Sequence, residues 1–189
     1  MSMNPTNGEL SGLLEELRAV TGDAERVFGG LTPAQLNWKP SPERWSVGQC
    51  FEHLIKTNQA FFPALEAAAG GGRENSLWER VSPLSGLFAR LVLRSLASKR
   101  KFPAPRALKP SSSGVDAGVV VHFVRHQDEL AGLMSAAGAA DLKGTIVTSP
   151  IAPFVTYSLF DACRIAAAHE RRHFGQALAV TEAAGFPNG

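Results

Sequence analysis

At 189 residues, with 44% hydrophobic and 19% charged side chains, the chain is long enough to bury a sizeable core and too apolar for disorder, so one domain over residues 1–189 is expected. A formal net charge of +2 argues neither for nor against nucleic acid; no nucleic-acid motif occurs, and none is expected as a partner. No uninterrupted run of about 18 apolar residues offers a membrane span.

The N-terminal stretch MSMNPTNGELSGLLEELRAV has no basic region ahead of an apolar run, so no signal peptide is expected. Gly8 to Phe28 reads as a first helix, with Leu10, Leu13, Leu14, Leu17, Val20 and Val27 near helical spacing. GGLTPAQLNWKPSPERW breaks it with glycines and prolines. A second helix starts at Ser46, which can cap it while Gln49 returns the bond, and runs to Ala69 before GGG. A shorter amphipathic piece follows from Pro83 to Ser98, with Leu84, Leu87, Phe88, Leu91 and Val92 on one side. KRKFPAPRALKPSSSG reads as a loop, because its prolines and serines cannot hold a helix. The third long helix is expected over Val115 to Ala137. LKGTIVTSPIAPF reads as a loop, and the fourth helix as Ser158 to Ala184. Four long helical patterns without βαβ alternation predict an all-α four-helix bundle, with an extra short helix and a Pro-rich loop between helices two and three.

Charge is unevenly spread. From Arg80 to Val115 no acidic residue occurs, while Arg80, Arg90, Arg94, Lys99, Arg100, Lys101, Arg106 and Lys109 do. The expectation is that the apolar side of this piece covers the bundle or a dimer mate and that its charges are solvated. The competing reading, a grip on an anionic membrane or an acidic partner, is not preferred, and no membrane partner is expected. Cys50 and Cys163 lie far apart without CxxC spacing, which suits a reduced, cytoplasmic setting and small core residues rather than ligands.

The histidines carry the chemistry. On the fourth helix, Leu159, Cys163, Ala166, Ala177 and Val180 mark the inward stripe, and His169 and His173 fall within it, four residues apart. On the second helix, His53 lies at the centre of the stripe Val47, Cys50, Leu54, Thr57 and Phe61. Three imidazoles turned into one interior either find three separate hydrogen-bond partners or share a cation. Neither Glu52 nor Glu170 is placed to serve them, each lying about 100° around its helix, so shared ligation is the simpler solution. On the third helix, whose stripe is Val119, Phe123, Leu130, Leu133 and Ala137, His126 sits at the edge and His122 to one side. His126 is therefore the candidate for a catalytic group that faces the substrate or supports the ligands.

HERRH at 169–173 also matches HExxH of zinc peptidases. Those need a third ligand downstream and a strand edge for the peptide; only Glu182 follows, and no β-rich region precedes. The arginines after Glu170 suggest a charged, exposed face. The motif is read as HxxxH followed by a surface glutamate.

Three stretches together carry a family likeness: RWSVGQCFEHL at the start of helix two, KFPAPRALKPS before helix three, and HERRHFGQAL in helix four. In their order and separation the chain resembles the DinB/YfiT superfamily of metal-binding four-helix bundles, over nearly its whole length. The resemblance implies an up-down-down-up bundle, commonly dimeric, whose divalent metal (nickel, zinc or iron) would be held by His53, His169 and His173. It also implies a small-molecule substrate and, by analogy with thiol S-transferases and a mycothiol-dependent isomerase of that superfamily, transfer of a low-molecular-weight thiol to an electrophile. Metal-dependent hydrolysis and a non-catalytic metal-binding role in stress response are the alternatives.

Overall fold

Apolar spacing and Pro or Gly punctuation set the elements of the chain. The structure, a computed structural model, describes residues 5–71, 74–82, 84–98, 105–112 and 114–188, the side chains of 5–7 and 107 excepted. In chain order the elements are α1 (Pro5–Phe28), α2 (Pro33–Asn37), α3 (Val47–Gln59), α4 (Phe62–Ala69), α5 (Leu77–Val81), α6 (Ser85–Ala97), α7 (Val119–Ala137), β1 (Ile146–Thr148), β2 (Thr156–Ser158) and α8 (Leu159–Thr181). A short 3-10 turn, Arg106–Leu108, interrupts the loop before α7.

The long helix α1 packs on α7 and α8, and α3 packs on the same two, which closes the predicted bundle. The second predicted helix is two. Pro63, near the start of α4, has no N–H to continue the ladder, so the chain bends at Ala60–Phe61 and α4 leans on α7. The five-residue α2 was hidden within a breaker-rich stretch; Thr32 and Gln35 close a capping box there. The predicted loop 142–154 and the residues just after it hold a small antiparallel hairpin, with Val147 opposite Tyr157 and both side chains in the core.

Helix α6 lies across α8 and the hairpin. Its Ala89 is buried and Phe88 and Val92 are half-buried, as expected for a covering helix. Leu84, Leu87 and Leu91 are exposed, so among the described residues this side does not cover the bundle, and the dimer-mate half of the expectation is left open. Lys99 to Lys101 of the basic segment, and Pro83, lie outside the described residues.

The core has a layered character that positions the site. One apolar cluster gathers Leu10, Leu14 and Leu17 with Leu65, Leu130, Met134 and Tyr157. The other gathers Phe28, Phe51, Leu54, Phe123, Ala177 and Val180. Between them in sequence on three helices sit the buried polar residues: His53, Thr57 and Asn58 on α3, His126 and Gln127 on α7, and Glu170 and His173 on α8.

Candidate metal centre

Local sequence fixes His53 first. Ser46 and Gln49 form a capping box that starts α3, setting the helix rotation that turns His53 inward. Glu52, one residue earlier, accepts hydrogen bonds from the backbone N–H and the hydroxyl of Ser111, both at 2.7 Å, and from Lys56 at 2.8 Å. Gln49 Nε2 donates to the Ser111 carbonyl at 2.6 Å. The loop 105–112 is thereby strapped along α3. The strap places the Leu108 carbonyl 2.7 Å from His53 Nδ1. A carbonyl only accepts, so Nδ1 carries the proton and Nε2 keeps its lone pair.

That lone pair points at α8. His53 Nε2 lies 3.3 Å from His169 Nε2. Ring centroids are 5.1 Å apart for His53 and His169, 4.7 Å for His53 and His173, and 4.4 Å for His169 and His173. One ligand atom from each of the three rings falls within 4.8 Å of the others. Two nitrogens bound to one tetrahedral zinc at about 2.0–2.1 Å would stand roughly 3.3–3.4 Å apart, which the His53–His169 separation matches. His169 Nδ1 and His173 Nδ1 are enclosed with no hydrogen-bond partner, and His173 has a side-chain hydrogen bond with Gln176. Trp45 closes one side, its ring 4.8 Å from that of His53 and stacked at 5.6 Å on that of His173.

The electrostatics keep the rings neutral. Burial holds His53 below its ordinary value, against the bond to Leu108, and the Lys56 charge adds to the lowering. Burial first, then His53 and Arg172, push His169 down to about 3. Burial, the other two histidines and Arg172 push His173 to about 2. At neutral pH all three therefore present unprotonated nitrogens, the form that binds a cation. Arg172 is anchored elsewhere, donating to the carbonyls of Leu96 at 2.8 Å and of Ser98 at the C-terminus of α6. Among the described residues no fourth His, Cys, Asp or Glu joins the group, which leaves a coordination position open.

Glu170 is not a surface residue, which corrects the reading of HERRH. It is fully buried, and its Oε1 accepts from Asn58 Nδ2 of α3 at 2.8 Å and Gln127 Nε2 of α7 at 2.6 Å. Burial raises its carboxyl to about 7 against the lowering by those two bonds. The peptidase reading loses one objection but keeps another: the third imidazole comes from α3 upstream, not from a downstream ligand.

The remaining predicted residues fall outside the cluster. His126 is buried, but its ring lies flat on Phe62, centroids 5.1 Å apart, with Nε2 unpartnered. His122 is exposed beside Asp116 at 3.7 Å. Cys50 and Cys163 are buried core residues whose thiols burial raises to about 12, so neither is a thiolate at neutral pH. Sequence reasoning missed Leu108, Trp45 and Glu170 as parts of the site. Glu170 had a signal in its place between the two histidines, and Trp45 in its place in the RWSVGQCFEHL stretch.

A family model of the DinB superfamily matches residues 16–177, which includes all three imidazoles. Neither the curated proteins nor the solved structures contain a match to the chain.

Proposed function

The chain belongs to the DinB superfamily, and from that premise we propose that His53, His169 and His173 hold one divalent metal (nickel, zinc or iron) in an enzyme that transfers a low-molecular-weight thiol to a small electrophile. The observation that carries the metal is the 3.3 Å approach of two Nε2 atoms, inside a trio of neutral rings with no fourth His, Cys, Asp or Glu ligand among the described residues. When bound, the ion would lower the pKa of a thiol or water and polarise an electrophile at the open position. The chain's own contribution is orientation and exclusion. Leu108 fixes the tautomer of His53, Trp45 shields the rings from one side, and burial keeps protons off the nitrogens. The proposal gives His126 no step.

Thiol transfer rests on the family resemblance. The buried carboxyl of Glu170 removes the argument that an inward acid is lacking, so metal-dependent hydrolysis stands as the reading to test beside it. Elemental analysis of untagged protein should find about one divalent ion per chain, and a screen of bacterial thiols with a chromogenic electrophile, beside ester and amide substrates, decides between the reactions. Metal in the preparation with no turnover in either screen would favour a non-catalytic metal-binding role.

The same reading includes a homodimer. Leu77, Val81, Leu87 and Leu91 of α5 and α6 are 80%, 67%, 41% and 54% exposed, and Trp78 is 48% exposed beside them. The exposed apolar side chains on these two consecutive helices support that reading. Light scattering should give twice the chain mass, and a Leu87→Glu/Leu91→Glu variant half of that; a monomeric wild type would sink this part.

A further inference from the structure

The polar layer contains a second cluster beside the imidazoles, with a different chemistry. Glu170, Asn58 and Gln127 come from α8, α3 and α7, and the three are 0%, 1% and 2% exposed. One carboxylate oxygen receives both amides, so a single atom joins three helices. Glu170 follows His169 directly and precedes His173 by three residues, and Asn58 follows His53 by five on α3. The Asn58–Glu170 bond therefore links the two helices that carry the imidazoles, next to where they converge. The Gln127–Glu170 bond links α8 to a helix that carries none of the three.

We propose that Asn58 and Glu170 are positioning residues for the three-histidine centre: their hydrogen bond fixes the rotation and height of α8 against α3, and so the separation of His53 from His169 and His173. Apolar packing alone tolerates small slides of one helix on another. A short directional bond between fully buried groups does not, because slipping would leave a carboxylate and an amide without partners. Rigid support of this kind is what a ligand set needs to hold its geometry before the ion arrives. The inference rests on the metal reading above.

The test compares the two bonds on the same carboxylate. Asn58→Leu and Gln127→Leu each remove one amide donor with little change in volume, and only the first breaks the link between ligand-bearing helices. Cobalt(II) serves as the probe, through its visible absorption and its calorimetric affinity, with urea unfolding of the metal-free proteins measured alongside. Asn58→Leu should weaken cobalt(II) binding by roughly tenfold or more and alter the visible bands, while Gln127→Leu stays within about threefold at comparable loss of stability. If Asn58→Leu does not fold, Asn58→Ser, too short to reach Glu170, takes its place. Cobalt(II) affinity that is unchanged by the Asn58 variant, or that falls equally in both variants in step with stability, overturns the positioning role. A wild type that binds no cobalt(II) overturns the metal reading itself, a distinguishable result.

Discussion

Two buried polar clusters share one stretch of α8 and are built differently. Around Glu170, two amides from two helices converge on one oxygen, and the interior spends its donors on that atom. Around His169 and His173, a turn away at most, each ring has an enclosed Nδ1 with no partner, His173 bonds to the side chain of Gln176, and His53 is tied by the Leu108 carbonyl. Unmet polar groups in an interior cost about 1–3 kcal/mol each. Both clusters keep unpartnered atoms, Glu170 Oε2, Asn58 Oδ1 and Gln127 Oε1 in the first and His169 Nδ1 and His173 Nδ1 in the second. The first, however, is joined helix to helix by its own hydrogen bonds, while the second sets one nitrogen from each of three rings within reach of one ion.

The largest expected effect removes a ring from the imidazole cluster. His53→Ala should lower cobalt(II) or nickel affinity by roughly two orders of magnitude, because two imidazoles from one helix hold an ion far less firmly than three. The same substitution should leave the metal-free fold standing, since it deletes a buried polar group. Unchanged calorimetric affinity in that variant would show that the trio does not bind as a unit.

Acidity separates the clusters next. Each of His169 and His173 has a folded-state pKa far below the ordinary 6.5, so the unfolded chain binds more protons and metal-free stability falls as pH drops below about 6.5. Between pH 8 and pH 5 these two rings together take away about 4 kcal/mol. Glu170 has the opposite sign. Its carboxyl is raised from 4.5 to about 7, so it disfavours the fold fully above pH 7 and progressively less as pH falls towards 4.5. Glu170→Gln keeps an oxygen for Asn58 and Gln127 and removes the charge. It should therefore stabilise the metal-free protein at pH 8, by on the order of 2–3 kcal/mol, and steepen the loss towards pH 5 relative to wild type. Denaturant titrations at pH 8 and 5 read both. A Glu170→Gln protein weaker than wild type at pH 8 would mean that the carboxylate is stabilised by something the two amides do not supply.

How much of this was legible in the chain follows from how each residue is held. The imidazole trio follows from 3.6-residue spacing because His53, His169 and His173 sit on stripes defined by residues such as Leu54, Cys163 and Ala177, all of which are buried. Glu170 was misread because a single stripe was assumed for α8. This helix packs on α1, α3 and α6, so its buried arc is wide and takes in Ala162, Ile165, Ala167 and Glu170 as well. The flanking arginines gave a false sign: Arg172 reaches the end of α6 and Arg171 pairs with Glu16, both compatible with a buried neighbour 100° away. The Leu108 carbonyl left no trace, since a backbone acceptor 55 residues from His53 in sequence has no side-chain pattern. The hairpin failed for a different reason, strands of three residues being too short to show alternation. The break at Pro63 was open to reading, and helical periodicity on both sides concealed it.

His126 gives the smallest effect and the sharpest control on the comparison. It lies in the same polar layer, yet its ring is stacked on Phe62 and its Nε2 meets nothing, so it belongs to neither cluster. Burial lowers its pKa to about 4, which means that the fold disfavours its protonated form below about 6.5 and is indifferent to it at pH 8. His126→Phe replaces the ring with one of similar shape that stacks on Phe62 equally well. Metal-free stability should rise by up to about 2 kcal/mol at pH 5 and change little at pH 8. Cobalt(II) affinity should stay within about twofold, since no ligand is lost. A variant that binds cobalt(II) normally but loses turnover would return His126 to the reaction; one that loses affinity would extend the centre from α3 and α8 to α7.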